Sequence, residues 1–281
     1  MDEGWWSIRI NTTRKYFLFN STQYVNWFWL ENIPTTSENA SVSPNQAGWS
    51  RIYNYTIDIH DQEGDTINCS LFIKRNSTDT WEYVGSYIIT GTPGTPTQGT
   101  CYVTYHGFSC ADMGINEFKW LIQDKEASND YYTQVYQGPN LTEVQATITL
   151  AAGNNSIVDR NAGVVPLIVN VYDIENQSYA PNVNVSFYVT HDNTNYQLDI
   201  LNSTLGNGNA TYNFAPDCSY TTGVQYWLAG ITDSCYVDTN TTTNFTTTII
   251  GWMNLALITP AGEEYLRGEQ NVTIRANITS D

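Results

Sequence analysis

Short runs of alternating apolar and polar residues are the feature that most constrains the fold of this sequence. The run YNYTIDIHD places Tyr53, Tyr55, Ile57 and Ile59 on one phase. A period of two residues is that of a β-strand with one buried face. No stretch of a dozen residues repeats apolar side chains at helical spacing. The chain is therefore predicted to be all-β.

The same alternation recurs along the chain, and turn clusters such as DQEGD, GTPGTPTQG, ENQSYAPN and GNGN separate the runs. The residues predicted to face inward in these runs are Ile67, Cys69, Leu71, Ile73, Leu167, Val169, Val171, Val183, Val185, Phe187, Val189, Ala210, Tyr212 and Phe214. Short alternating strands separated by turns are typical of β-sandwiches, in which two sheets pack face to face.

The chain of 281 residues has room for about two domains and a partial third. The linker-like run YQGPNLTEVQ and the end of the run NFTTTIIG predict divisions at 1–145, 146–250 and 251–281. The first part carries an N-terminal extension. The last part reads as the opening strands of a third sandwich, either truncated or donated to the sheet of a neighbouring molecule.

The charge of the chain excludes some classes of function. There are 28 acidic and 11 basic residues, a formal net charge of −17. Nucleic-acid binding requires clustered Lys and Arg and is not expected. No run reaches the roughly 18 apolar residues of a transmembrane helix. An acidic surface rich in Asn and Thr suits an extracellular setting.

Acceptor sequences for N-glycosylation, Asn-X-Ser/Thr, are unusually frequent. Chance pairing of 30 Asn with 54 Ser and Thr gives about 6 such sequons, and the chain has 16. We expect glycans at Asn11, Asn20, Asn39, Asn54, Asn68, Asn76, Asn140, Asn154, Asn176, Asn184, Asn202, Asn209, Asn240, Asn244, Asn271 and Asn277. The alternative is that a β-rich composition alone produces these triplets.

The five cysteines point to an oxidising compartment. Cys218 and Cys235 lie in the second domain without a competitor, which predicts a disulfide between them. In the first domain, Cys101 and Cys110 flank a hairpin-like stretch and are the favoured pair. Cys69, on an inward phase, is then a buried free thiol. The alternative pairing is Cys69 with Cys110.

Motifs for catalysis are not found: the sequence lacks zinc-ligand spacings, a G-x-S-x-G elbow and a Gly-rich phosphate loop. We therefore expect no enzyme activity from these residues.

The turn DIHDQEGD clusters Asp58, Asp61, Glu63 and Asp65, which offer oxygen ligands to calcium. The alternative is a solvated β-turn built around Gly64. The aromatic run VNWFWLENI suggests carbohydrate binding as a possible function. The alternation of side chains along the strand instead places most of its residues in a core.

One stretch resembles a known family. SVSPNQAGWSRIYNYTIDIHDQEGDTINCSLFIKR, followed by TWEYVG and CADMGINEFKWLIQD, is similar to the immunoglobulin-like repeats of archaeal cell-surface glycoproteins. The shared features are the Ser43-Pro44 opening, the acidic turn 61–65 and the closing Gly114, Phe118 and Lys119. LITPAGEEYLRGEQNVTIRAN resembles the start of another repeat, and residues 151–250 resemble such domains more loosely.

The resemblance implies tandem immunoglobulin-like β-sandwiches outside the cell, in an S-layer coat or a surface filament. The partners it implies are other copies or neighbouring surface proteins, with N-linked glycans on the surface. Three alternatives remain: an adhesin-like module for a glycan or protein on another cell, non-catalytic accessory domains of a surface enzyme, and a viral or eukaryotic ectodomain. The motifs are structural and imply a fold and a location rather than a reaction.

Overall fold

The computed structural model describes residues 4–12, 15, 20–30, 32–125, 130–269 and 271–280. The described residues are mostly β-strand, with a 3₁₀ turn at Cys110–Asp112, which confirms the all-β prediction. The chain divides into two compact units, 1–143 and 144–281. The division at residues 145 and 250 stays a prediction.

The first unit contains a two-stranded hairpin and a two-sheet sandwich. Its strands are β1 (Gly4–Thr12), β2 (Asn20–Leu30), β3 (Thr36–Ser43), β4 (Gln46–Gly48), β5 (Tyr53–Asp61), β6 (Ile67–Lys74), β7 (Trp81–Ile89), β8 (Thr97–Tyr105), β9 (Gly114–Asp124), β10 (Tyr131–Tyr132) and β11 (Tyr136–Thr142). β1 and β2 pair with each other. One sheet has the order β3-β5-β8, and the other has β4-β11-β9-β6-β7 with β10 on β9.

The core of this sandwich follows the period-two phases of the sequence. Tyr53, Tyr55, Ile57 and Ile59 of β5 are buried, as predicted, because the opposite sheet covers that face. The rings of Tyr55 and Phe118 meet edge to face across the sheets with centroids 5.1 Å apart. Edge-to-face packing of this kind adds to the apolar burial that holds the two sheets together.

The second unit repeats this architecture. Its sandwich strands are β12 (Ala146–Ala152), β13 (Ser156–Asp159), β14 (Val165–Asp173), β15 (Ser178–Tyr179), β16 (Asn184–Thr190), β17 (Tyr196–Ser203), β18 (Asn209–Phe214), β19 (Gly223–Ile231), β20 (Thr239–Asn240) and β21 (Phe245–Ile250). β14 pairs with β12, β15 and β18 in one sheet. The other sheet has the order β13-β21-β19-β16-β17, with β20 on β19.

The two sandwiches share one strand order. In each, the third sequential strand is central in its sheet, and a short second strand crosses over to run parallel to the last strand: β4 with β11, and β13 with β21. Each also buries a Trp on the matching strand, Trp120 on β9 and Trp227 on β19. The predicted all-β class with tandem β-sandwiches is confirmed.

The second unit ends in a separate two-stranded sheet. β22 (Met253–Thr259) and β23 (Arg275–Ser280) pair antiparallel, with Leu255 opposite Ile278. Within the part of the chain that the structure describes, no helix is long and apolar enough to cross a membrane.

Candidate functional site

Three buried carboxylates meet at one end of the first sandwich. Asp61 ends β5, Asp65 lies four residues later in the turn before β6, and Asp124 ends β9. Because β6 pairs with β9 and places Ile67 opposite Asp124, the ends of these elements come together. One carboxylate oxygen from each Asp lies within 4.8 Å of the others, and all three residues are buried.

The hydrogen bonds around Asp61 show how the turn is built. Its Oδ1 accepts hydrogen bonds from the backbone N–H groups of Glu63, Gly64 and Asp65, at 3.1, 2.8 and 3.0 Å. Its Oδ2 accepts one from Thr35 Oγ1 at 3.1 Å. This Asx-type turn holds the backbone of residues 61–65 in place and brings the Asp65 carboxylate towards that of Asp61.

Asp124 joins the cluster from the opposite sheet. Asn32 Nδ2 donates a hydrogen bond to its Oδ2 at 3.0 Å, so the segment before β3 also packs against the cluster. Three buried carboxylates this close together place several oxygen atoms where one cation could contact all of them. Carboxylate oxygens are the ligands that Ca²⁺ prefers.

The predicted calcium ligands are only partly brought together. Asp58 points outward from β5 and accepts hydrogen bonds from Thr100 Oγ1 at 2.6 Å and Asn39 Nδ2 at 3.0 Å, which lower the pKa of its carboxyl. Glu63 Oε2 instead accepts a hydrogen bond from the backbone N–H of Ile33 at 2.9 Å. Asp61 and Asp65 are in the cluster, and Asp124, which sequence reasoning missed, completes it.

A signal for Asp124 was present in the sequence. It continues the inward phase of Phe118, Trp120 and Ile122 along β9. An acidic residue on a buried phase needs a partner, because burying an isolated charge is unfavourable. Asp61 continues the inward phase of β5 in the same way.

The second sandwich provides an internal comparison for this cluster. Asp173 ends β14, the counterpart of β5, is buried, and accepts hydrogen bonds from the backbone N–H groups of Glu175 and Asn176, both at 2.9 Å. The strand that matches β9, however, ends in Ile231 rather than an acid. A single Asp that caps the turn is therefore common to both sandwiches, and the three-carboxylate cluster is described only in the first.

The sequons lie on the surface wherever the structure describes their Asn side chains. Eleven are exposed: Asn11, Asn39, Asn54, Asn76, Asn154, Asn176, Asn202, Asn240, Asn244, Asn271 and Asn277. Four are partly buried: Asn68, Asn140, Asn184 and Asn209. The side chain of Asn20 lies outside the described part of the structure. None of the fifteen described side chains is in a core, so these positions have access to solvent.

The cysteine pairings differ from those predicted. Cys69 bonds Cys101, so the prediction that Cys101 pairs with Cys110, the alternative that Cys69 pairs with Cys110, and the free thiol at Cys69 are all wrong. Neither Cys110 nor Cys235 is a free thiol. Cys218 is free and exposed, so its predicted bond to Cys235 is wrong.

The physical reason for the Cys69–Cys101 bond is the inward phase of both residues. Cys69 lies on β6 and Cys101 on β8, in opposite sheets, and both side chains are buried. The bond therefore crosses the core and ties the two sheets together. A short sequence spacing, on which the predicted pair depended, gives no information about which strands face each other.

A second polar cluster lies in the second sandwich. The nearly buried carboxylate of Asp199 on β17 accepts hydrogen bonds from Tyr220 Oη at 2.6 Å and Tyr212 Oη at 3.2 Å. His191 Nε2 lies 3.0 Å from its other oxygen, and the His191 ring stacks on that of Tyr220 with centroids 3.9 Å apart. Burial, and then the charge of Asp199, raise the pKa of Tyr212 to about 12. The cluster ties the outer strand β17 to β18 and to the loop that follows β18.

The aromatic run VNWFWLENI gives no described sugar-binding surface. The side chains of Trp27 and Trp29 lie outside the described residues.

Comparisons with known proteins are limited to solved structures. No protein-family model and no curated protein matches the chain. The chain is similar to the crystal structure of a tetra-tandem repeat in the extending region of a large adhesion protein, with a TM-score of 0.45 and 14% identity. That match covers 92% of this chain and spans 61% of the other. It is also similar to red sea bream transglutaminase, with a TM-score of 0.30 and 13% identity, covering 75% of this chain and 31% of that one. Both TM-scores are below 0.5.

Proposed function

We propose that this chain is a segment of an extracellular structural glycoprotein, in which tandem immunoglobulin-like sandwiches build a cell-surface coat of the S-layer type or a surface filament. The observation that carries the proposal is that all fifteen described sequon Asn side chains are exposed or partly exposed. The chain also has more than twice the number of sequons that chance would give. Glycans at these sites would cover the outer strand faces without entering either core.

Two further observations support an extracellular, mechanical role. The Cys69–Cys101 bond crosses the first core, and disulfides persist in oxidising compartments. The two sandwiches follow each other in one strand order, as in proteins that extend a surface structure by repetition. The resemblance of residues 41–133 to archaeal surface repeats supports the same assignment.

The test is the intact mass of the protein isolated from its native cells, before and after enzymatic or chemical removal of N-glycans, together with immunogold labelling of whole cells. We expect a large loss of mass, peptide-level glycans at several of the sixteen sequons, and an ordered surface label. A protein without glycans and with label confined to the cell interior would overturn the proposal. Dispersed surface label together with specific binding to foreign glycans would instead favour the adhesin alternative.

We also propose that the first sandwich binds Ca²⁺ through Asp61, Asp65 and Asp124. The support is the convergence of three buried carboxylates, which a divalent cation would neutralise. Bound calcium would hold the end of β5, the turn before β6 and the end of β9 together. Its role is then structural, and it adds stability in proportion to the logarithm of its concentration above Kd.

Thermal unfolding in calcium and in chelator tests this site. At a hundredfold excess over Kd, calcium is expected to stabilise the first sandwich by about 3 kcal/mol. Asp124→Asn should abolish the calcium-dependent part of the shift. The matched control is Asp58→Asn, because Asp58 belongs to the same acidic stretch and lies outside the cluster; it should keep the shift. An unchanged melting temperature of the natural chain in calcium and in chelator would contradict the proposal.

A further inference from the structure

The outward face of one sheet in the first sandwich carries a cluster of aromatic rings. Phe72 of β6 lies at its centre, and its ring centroid is 5.7 Å from those of Tyr83 and Tyr132. Tyr83 and Tyr132 are 55% and 53% exposed. Lys119 Nζ lies 4.3 Å from the ring centroid of Tyr132, so its charge also lies against the rings. Exposed rings grouped in this way mark an interaction surface, and we call Phe72, Tyr83, Tyr132 and Lys119 the aromatic patch.

A sequon lies at one end of the aromatic patch. Asn68 precedes Phe72 by four residues on the outward phase of β6. Its Nδ2 donates hydrogen bonds to Gln123 Oε1 at 2.9 Å and to Ser70 Oγ at 3.3 Å, which hold the amide against the sheet. Asn68 is also one of the four described sequon residues that are partly buried. Because an N-glycan is attached to this Nδ2 atom, its first sugar starts on the sheet face.

Small side chains separate Asn68 from the rings. The next cross-strand pair along the face is Ser70 with Ser86. Tyr83 Oη lies 3.2 Å from Ser86 Oγ, so the Tyr83 ring extends from its own row towards that of Asn68. The Tyr83 phenol therefore reaches the row next to Asn68, about 7 Å along the strand. The first sugars of a glycan at Asn68 can span that distance.

The chemistry of the aromatic patch suits a sugar. A pyranose has a ring face of C–H groups that packs on aromatic rings, and hydroxyl groups that hydrogen-bond to amides and phenols. The Gln123 amide and the Tyr83 phenol are polar groups of this kind on the same face. Across β6, β7 and β9, the three rows from Asn68 to Phe72 contain one cation, Lys119, and no carboxylate, in a chain with 28 acidic residues.

The second sandwich repeats the arrangement on its own sheet. β16 begins with the sequon residue Asn184, and Tyr188 follows four residues later on the same outward phase. Ser203 Oγ donates a hydrogen bond to Asn184 Oδ1 at 2.9 Å, which again holds the amide against the sheet. On the neighbouring β17, Leu201 and Leu198 are 55% and 58% exposed, and Leu198 lies opposite Tyr188. A partly buried sequon beside an exposed apolar face is therefore found in both sandwiches.

We propose that the N-glycan at Asn68 lies along the outward face of its sheet and covers the aromatic patch. The sugar is then an outer layer of the first sandwich, because it shields the exposed rings from water and from other proteins. The rings in turn restrict the motion of the glycan. The proposal deepens the glycoprotein function proposed above and rests on it.

Glycopeptide mapping and NMR of the protein isolated from its native cells test the contact directly. We expect Asn68 to carry a glycan whose proton resonances are shifted upfield, because protons above an aromatic ring experience its ring current. Tyr132→Leu should return these resonances towards their ordinary positions. Tyr179→Leu is the matched control, because it removes a ring that is 55% exposed in the second sandwich; it should leave the resonances unchanged.

A cycle of variants produced in the same cells measures the coupling between glycan and rings. Ser70→Ala removes the sequon while Asn68 stays in place, so it removes the glycan. Tyr132→Leu should lower the midpoint of thermal unfolding by about 3 °C more in the glycosylated protein than in the Ser70→Ala background. Additive effects of the two substitutions, or unshifted sugar resonances at a glycosylated Asn68, would overturn the proposal.

The same mapping separates this proposal from the proposed function. Glycans at other sequons and none at Asn68 would overturn the inference and leave the glycoprotein function in place, whereas a chain without any glycan would overturn both. Self-association of the natural glycoprotein that Tyr132→Leu abolishes would show that a second copy covers the aromatic patch, and would also overturn the inference.

Discussion

At the scale of single residues, buried polar side chains fix the arrangement of the neighbouring strands and turns. Asp61 and Asp124 end their strands and Asp199 lies in the middle of β17, and each accepts hydrogen bonds from another segment. A buried carboxylate that is fully hydrogen-bonded specifies one arrangement of its neighbours, because any other arrangement leaves it unsatisfied. The Cys69–Cys101 bond does the same covalently.

Removing the inter-sheet disulfide should destabilise the first sandwich strongly. The bond closes a loop between residues 32 apart in sequence, and restriction of the unfolded chain by such a loop is worth about 4 kcal/mol. We expect the double variant Cys69→Ala/Cys101→Ala to lose about that free energy of unfolding in urea titrations. Cys218→Ala is the control, because Cys218 is exposed and free; it should change stability by about 0.5 kcal/mol or less. Equal losses of stability in the double variant and in Cys218→Ala would contradict the assignment of the Cys69–Cys101 disulfide.

The tyrosines around Asp199 predict a loss of stability at alkaline pH. The folded-state pKa of Tyr212 is raised to about 12, chiefly by burial, so folding favours its neutral phenol. This contribution is fully present below the unfolded-state pKa of about 10 and is lost as the pH rises through the folded value. Tyr212→Phe should cost about 1 kcal/mol at neutral pH and flatten the decline between pH 10 and 12.

Denaturant titrations at several pH values would measure this decline. Tyr179→Phe, which removes an exposed phenol in the same sandwich, serves as the control and should leave the decline unchanged. A Tyr212→Phe profile parallel to that of the natural chain would show that ionisation of Tyr212 does not contribute to the alkaline loss of stability.

At the scale of elements, the turns decide how strands meet at the ends of the first sandwich. Gly64 lies in the turn between β5 and β6 with a φ of +84°. The turn packs against the β7–β8 connection, where the N–H of Gly94 donates a hydrogen bond to the carbonyl of Glu63 at 2.7 Å. Only glycine, which has no Cβ, fits at position 64 where the two backbone segments come this close.

Gly64→Ala should therefore be far more costly than a comparable glycine substitution. A Cβ at Gly64 would lie 2.1 Å from the carbonyl oxygen of Thr92 and 2.4 Å from that of Thr95. Gly94→Ala is the matched control, because its φ is +79° and a Cβ there would meet nothing within 4 Å. We expect about 1 kcal/mol for Gly94→Ala and about 3 kcal/mol or more for Gly64→Ala, measured by urea unfolding. Similar costs at both glycines would rule out the steric explanation.

At the scale of the whole molecule, each sandwich has its own core. Ile57 lies in the core of the first and Leu167 in that of the second, and both are completely buried. The two compact units, 1–143 and 144–281, each contain one of these cores. A core defect is expected to weaken the sandwich that contains it more than the other, because packing is local.

Hydrogen exchange measured by mass spectrometry can locate such defects. Ile57→Ala should cost about 2–5 kcal/mol and raise exchange in peptides from 36–142, whereas Leu167→Ala should do so in peptides from 146–250. The two variants are controls for each other. Faster exchange spread evenly over both ranges in either variant would mean that the two sandwiches unfold as one.

Much of the architecture was predictable from local sequence. The alternation in YNYTIDIHD and PLIVNVYD predicted the buried faces of β5 and β14, because side-chain direction in a strand depends only on the residue count. The candidate metal site was only half predictable. Asp61 and Asp65 share a turn, but Asp124 comes from a strand that becomes a neighbour only when β6 pairs with β9.

The sequence by itself therefore determined the all-β class and the inward phases of the strands, since both follow from a period of two residues. Only the tertiary structure decided that Cys69 meets Cys101 and that Asp124 joins Asp61 and Asp65. These features depend on which strands face each other across the sheets. That choice is made by the packing of the whole sandwich and not by any short stretch of sequence.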